Sequence, residues 1–129
     1  MTPDRPLGHK QEIPMNKFII SGNLGADADI REREHNGETR RHAFIRVCSE
    51  TYTGQKDGQP TYRKDWFSVA VFNQGLVNYL EKHGKKGAYV LVEGEMELRR
   101  IDEARDAAVE TLYRVTQSNG SIELVNRAN

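Results

Sequence analysis

Apolar and polar residues alternate with a period of two over most of this chain, and that pattern predicts strands. The clearest case is Asp65-Trp66-Phe67-Ser68-Val69-Ala70-Val71-Phe72. It is rich in β-branched and aromatic residues and contains no Gly or Pro. Phe67, Val69 and Val71 fall on one face, the expected core face. Trp66, Ser68, Ala70 and Phe72 fall on the other, with two rings at its ends roughly 20 Å apart, at about 3.3 Å per residue. An exposed face of this kind suits stacked bases, since every base has a π-face. The same strand fits equally well into a sheet buried on both sides.

The pattern repeats along the chain. Asn16 to Asn23 predicts a strand carrying Phe18, Ile19 and Ile20. Gly22-Asn23-Leu24-Gly25 interrupts it, as glycine does at bulges and bends, and it resumes from about Ala28 to His35. Asn36-Gly37 is a two-residue hairpin signal. Arg40 to Tyr52 predicts a second long strand. Ala43, Ile45, Val47 and Ser49 share one face, and Phe44, Arg46, Cys48, Glu50 and Tyr52 the other. Thr53 to Pro60 holds two glycines and a proline around Lys56-Asp57 and predicts a mobile hairpin loop before the Trp66 strand, which starts near Thr61.

The period changes once. Leu76, Val77 and Leu80 form a helical stripe within Asn73–His83, with Asn73 as cap, Lys82 and His83 in the last turn and Gly84 as stop. Ala88 to Ile101 then predicts a fourth strand, with Val90, Val92, Met96 and Leu98 on one face and Gly94 as a bend. Asp102 to Asp106 reads as a charged turn, Ala107 to Gln117 as a fifth strand, and Asn119-Gly120 as a turn into Ser121–Val125. These elements predict an all-β domain with one short α-helix: an OB-fold, a five-stranded, partly open Greek-key barrel. The helix would plug an open end of the barrel. Residues 1–14, with three prolines, are expected to be a disordered extension or leader, residues 15–125 the folded domain, and residues 126–129 a short end.

Composition narrows the function. At 129 residues the chain has length for one domain with a core. Its 19 Lys+Arg balance 19 Asp+Glu, so net charge does not advertise nucleic acid, although charge can be segregated by face. Basic residues gather between Arg31 and Lys64, and acids become frequent from Glu93 onward. One cysteine, Cys48, excludes an intrachain disulfide and a Cys-rich zinc site. His9, His35, His42 and His83 lack metal-ligand spacing, and no nucleophile elbow or phosphate-cradling glycine loop is present, so neither an enzyme nor a cofactor is expected. No apolar run approaches membrane-spanning length, and the N-terminal residues lack a signal pattern, which implies a cytoplasmic protein.

Met15-Asn16-Lys17-Phe18-Ile19-Ile20-Ser21-Gly22-Asn23-Leu24-Gly25, Asp65-Trp66 with the run to Phe72, and Val92-Glu93-Gly94 together resemble the bacterial single-stranded DNA-binding proteins. The resemblance spans about residues 15 to 117. It implies a non-catalytic, sequence-tolerant, nucleoid-associated binder of single-stranded DNA in replication, repair and recombination, usually a homotetramer. It also implies stacking roles for Trp66, Phe72 and Tyr52. Arg46, Lys56, Arg63, Lys64, Arg99 and Arg100 are the expected phosphate contacts. Ile101 stands where the family often has a tryptophan, which with the acids around Glu103 implies weaker or rerouted binding near the fourth hairpin. Many members end in an acidic tip that recruits partners. This chain ends Val125-Asn126-Arg127-Ala128-Asn129, so partners recruited through such a tip are not expected. The rival expectation is an accessory protein of the same fold, plasmid-encoded or primosome-type, acting mainly through protein contacts.

Overall fold

The computed structural model describes residues 15–100 and 109–125. Its elements are β1 (Phe18–Leu24), β2 (Asp29–His35), β3 (Glu38–Lys56), β4 (Gln59–Val71), α1 (Gln74–His83), β5 (Tyr89–Arg100), β6 (Val109–Val115) and β7 (Ser121–Leu124). Ile101, the Asp102–Asp106 turn, the start of the expected fifth strand and both termini lie outside the described residues.

Two Xaa-Gly turns fix the first pairings. Asn36 and Gly37 have φ of 51° and 80°, and Asp57 and Gly58 have 53° and 79°. Positive φ at both central residues makes the tight hairpin turn whose twist matches that of its strands. The first turn was legible; the second overturns the expected Thr53–Pro60 loop. Asp57-Gly58 reverses the chain in two residues, so β3 and β4 continue as a ribbon almost to the turn. Gly54 is absorbed at a bulge, where the register shifts between Tyr52 and Gly54, and Pro60 lies opposite Gln55.

The expected first strand is split rather than bent. β1 pairs with β5 from Phe18 to Asn23 and meets β3 only at Asn23 and Leu24. After the break, β2 pairs with β3 throughout. Going around the barrel, β1, β3, β4, β6 and β5 follow one another, and β5 pairs back with β1. The β4–β6 contact is parallel and short, Val69–Val71 against Tyr113–Val115; the other pairings are antiparallel. β2 and β7 extend this ring from β3 and β5. The ring of five strands, partly closed, is the expected OB-fold.

The core follows the alternation. Ile20, Ile45, Val47, Val69, Val71, Val90, Val92 and Val115 all point inward and are buried. Asn73 caps α1 by accepting from the Leu76 N–H, and Val77 and Leu80 complete the core. On β5 the inward face does not continue as the alternation suggests: Met96 and Leu98 are exposed. A Cβ at Gly94 would lie 2.2 Å from the Arg114 carbonyl oxygen and 2.8 Å from the Phe18 ring. The strands cross that closely there, and β1 ends its ladder at this point, Phe18 opposite Gly94. Beyond Gly94, β5 has β6 beside it, and no inner layer among the described residues covers Leu98.

Candidate nucleic-acid interface

Strand parity puts one continuous row of side chains on the outer surface of β2, β3 and β4. Residues directly opposite one another share a face, so Cys48 stands beside Trp66, Arg46 beside Ser68, Phe44 beside Ala70, and Arg31 beside His42. Tyr52 faces Tyr62 farther along the ribbon, the ring centroids 5.8 Å apart. Trp66 is 49% exposed, Tyr52 56% and Tyr62 54%. The outer face of β4 therefore looks to solvent in this chain. Phe72 is half-buried, and its N–H donates to the Val115 carbonyl at 2.8 Å, which fixes the end of the row.

Each inner ring of the row carries an arginine. The Arg46 guanidinium lies 5.1 Å from the Trp66 ring centre, Arg31 5.0 Å from Phe44, and Arg114 4.9 Å from Phe72. His42 stacks against Phe72 at 6.0 Å and meets Phe44 edge-on at 5.2 Å. Exposed cation–π contacts are worth about 0.5–1 kcal/mol, less than the 1–3 kcal/mol of a base stacked on an aromatic ring. A base can thus displace a guanidinium from a ring and leave it free to meet the phosphate.

Trp66 is seated on the backbone of Gly25. A Cβ there would fall 2.4 Å from the indole Cζ3, and the Gly25 N–H donates to the Arg46 carbonyl at 3.0 Å, holding the loop against the strand. Gly25→Ala is expected to push the half-exposed indole off its seat while costing less than the roughly 1–3 kcal/mol of an overpacked core. The emission spectrum of the only tryptophan reads this directly. An unchanged spectrum would show that the ring does not rest on Gly25.

The expected cations divide between faces. Arg46 and Lys64 share the Trp66 face. Arg63 lies on the reverse of the ribbon. The bulge shifts the parity of β3, so Lys56, opposite Gln59, joins Arg63 on the reverse and not Tyr52. Arg99 and Arg100 alternate likewise, and Arg100 is on the Leu98 side of β5. Among these cations Arg63 pairs with Asp65, Lys64 with Glu50 at 3.9 Å and Arg99 with Glu110; Arg114, outside the expected set, pairs with Glu97. Arg46 and Lys56 have no acidic partner among the described residues. Exposed pairs of this kind contribute about 0–1 kcal/mol, so exchanging an acid for a phosphate costs little.

Sequence reasoning put Phe44 on the Arg46 face without making it a site residue, and missed Tyr62, His42 and Arg114. The Asp57-Gly58 turn, read as two residues, brings Tyr62 close to Tyr52 and was the available signal. Arg114 carried none, because nothing local says that β6 lies beside β4. No group of three or more His, Cys, Asp or Glu among the described residues is arranged to hold a metal ion. None of their helices is long and apolar enough to cross a membrane.

Residues 15–123 match the model of the single-strand binding protein family. A single-stranded DNA-binding protein of Rhizobium meliloti is 37% identical over 87 residues, 67% of this chain and 48% of the relative. One of Rickettsia felis is 30% identical over 87 residues, 67% of this chain and 55% of the relative. The chain thus spans about half the length of these curated relatives. Among solved structures, the Plasmodium falciparum SSB in complex with single-stranded DNA superposes with a TM-score of 0.70 at 20% identity, covering 91% of this chain and all of the other. The mitochondrial single-stranded DNA-binding protein Rim1 of Saccharomyces cerevisiae gives 0.59, also at 20% identity and 91% coverage. At that identity the superpositions speak for the fold.

Proposed function

The chain belongs to the single-strand binding protein family, and on that premise we propose that it binds and protects single-stranded DNA without regard to sequence and without catalysis. The observation that carries this reading is the solvent-facing indole of Trp66 on a sheet surface shared with Phe72 and Tyr52. Bases stack on these rings. Arg46 and Lys64 meet phosphates on the same face, while Arg63, Lys56, Arg99 and Arg100 serve the strand where it wraps past the ribbon or the β5 edge. The protein acts in the cytoplasm, on the nucleoid, in replication, repair and recombination.

The working form is a homotetramer. Support comes from the Phe18–Gly22 part of β1, which among the described residues pairs on one side alone, and from exposed apolar side chains at Ile19, Met96, Leu98 and Val109. Unpaired strand edges and apolar patches are the surfaces that chains cover by association. A second reading, an accessory protein acting through protein contacts, draws on the same arginines: a ring already covered by a guanidinium suits a polar protein surface as well as a base.

Titration with oligo-dT, followed by Trp66 emission, separates the two. The expected result is saturable quenching whose affinity falls with salt, at roughly −0.7 in the log–log slope per phosphate neutralised. Light scattering on the same solution is expected to give the mass of four chains. Unquenched emission at low salt excludes the DNA reading, and a stable monomer excludes the tetramer.

A further inference from the structure

We propose that the outer groove between β4 and β6 seats one nucleobase of the bound strand, with Phe44 as its stacking wall. The proposal rests on the single-stranded DNA reading and extends the Phe72 platform with a second ring, Phe44, and a donor, Arg114, in a recess apart from Trp66 and Tyr52.

The groove follows from pairing and side-chain size. β4 and β6 share a ladder only from Val69 to Val71 against Tyr113 to Val115. Before Tyr113, β6 is paired to β5 alone and leaves β4, opening a cleft on the outer face. Ser68 and Ala70 form its floor, because they are the short residues between the rings of β4. Phe44 stands opposite Ala70 and walls one side, Leu112 and Arg114 wall the other, and Phe72 closes the end. The recess measures about 310 Å³. That is at the small end of the roughly 300–1,000 Å³ of ligand sites. Its walls are largely apolar and include two flat rings, which suits a planar heterocycle.

Arg114 supplies an independent sign of a ligand. Its Nε is buried and has no hydrogen-bond partner among the described residues, while its guanidinium spans the Phe72 ring and reaches Glu97. A buried donor left unpaired is uncommon and calls for an explanation. If Arg114 turns as a base enters, that donor meets a base carbonyl or the adjoining phosphate, and the Phe72 ring is uncovered for the same base. The surface on which this happens is continuous with that of Trp66: Trp66, Ser68, Ala70 and Phe72 are successive outward residues of the chain.

Two substitutions test the groove without touching Trp66. Ala70→Leu fills the recess from its floor, on the solvent side of the sheet. Phe44→Ala removes its stacking wall. Both are measured by oligo-dT titration with Trp66 emission, after thermal melting has shown the variant folded at the temperature used. Each is expected to weaken binding by roughly 5- to 150-fold, the equivalent of one stacked base, while quenching at saturation stays at the wild-type level. Wild-type affinity in both variants would overturn the proposal and leave the DNA reading standing. So would loss of Trp66 quenching at saturation in Ala70→Leu, since the effect would then belong to the whole face. A wild-type protein that binds no oligo-dT would remove the underlying reading and the subsite with it.

Discussion

Trp66→Ala is expected to weaken binding of oligo-dT by about 1–3 kcal/mol, roughly 5- to 150-fold, with little change in thermal stability. The sequence left two roles open for this indole, and they predict opposite results. A buried tryptophan replaced by alanine costs about 3–5 kcal/mol of stability. At 49% exposed, seated on Gly25 and with Arg46 over its face, Trp66 lies outside the buried core cluster. What truncation removes from the free protein is the packing of the ring on Gly25 and a cation–π contact, the latter about 0.5–1 kcal/mol. What it removes from the complex is a stacking platform. Melting and titration of the one variant therefore give a pair of numbers whose order decides the role: a large melting shift with proportionate binding loss would put Trp66 in the core.

Leu80→Ala is expected to do the reverse, costing about 2–5 kcal/mol of stability while leaving DNA affinity unchanged where the variant is folded. Leu80 is 1% exposed and enters the core beside Val77 from α1. The upper part of that range applies when the surroundings cannot collapse into the space. Here α1 is tied at both ends. Asn73 caps it, Gln74 donates to the Arg41 carbonyl at 2.6 Å, and the Gly84 carbonyl accepts from Ala28 at 2.7 Å. Urea unfolding measures the loss. A cost below about 1 kcal/mol would show α1 free to settle inward and fill the gap.

How much of this was legible depends on whether the signal was local. The inward and outward faces of β3 and β4 follow from alternation alone, and Val69, Ile45 and Trp66 lie where it places them. The helix was legible from one period change and one cap. The ribbon was not, because Gly54 and Pro60 read as breakers while Asp57-Gly58 makes the whole turn. A single extra residue at Thr53 then moved Lys56 to the other face, and one-residue bulges leave no mark in composition. Leu98 looked inward by parity and is exposed, because parity cannot say where a strand outruns the layer beneath it. The place of Arg114, and the groove it forms opposite Phe44, depend on β6 lying beside β4, a parallel contact between strands with a helix and β5 between them in the chain. Nothing local encodes it.

That ring has a consequence in folding time. The β2–β3 and β3–β4 hairpins close over two-residue turns, where the loop entropy to be overcome is smallest. Closing the ring instead joins β1 to β5, Phe18 to Gly94, across most of the described chain, and such distant pairings form slowly. Pulse-labelled hydrogen exchange during refolding is expected to protect the hairpin amides first and those between β1 and β5 last; simultaneous protection would place closure in the rate-limiting step itself. Until closure, the Phe18–Gly22 backbone presents both edges to water. Chain association then competes with barrel closure for the same strand, so protein concentration during refolding governs the yield of correctly closed barrels.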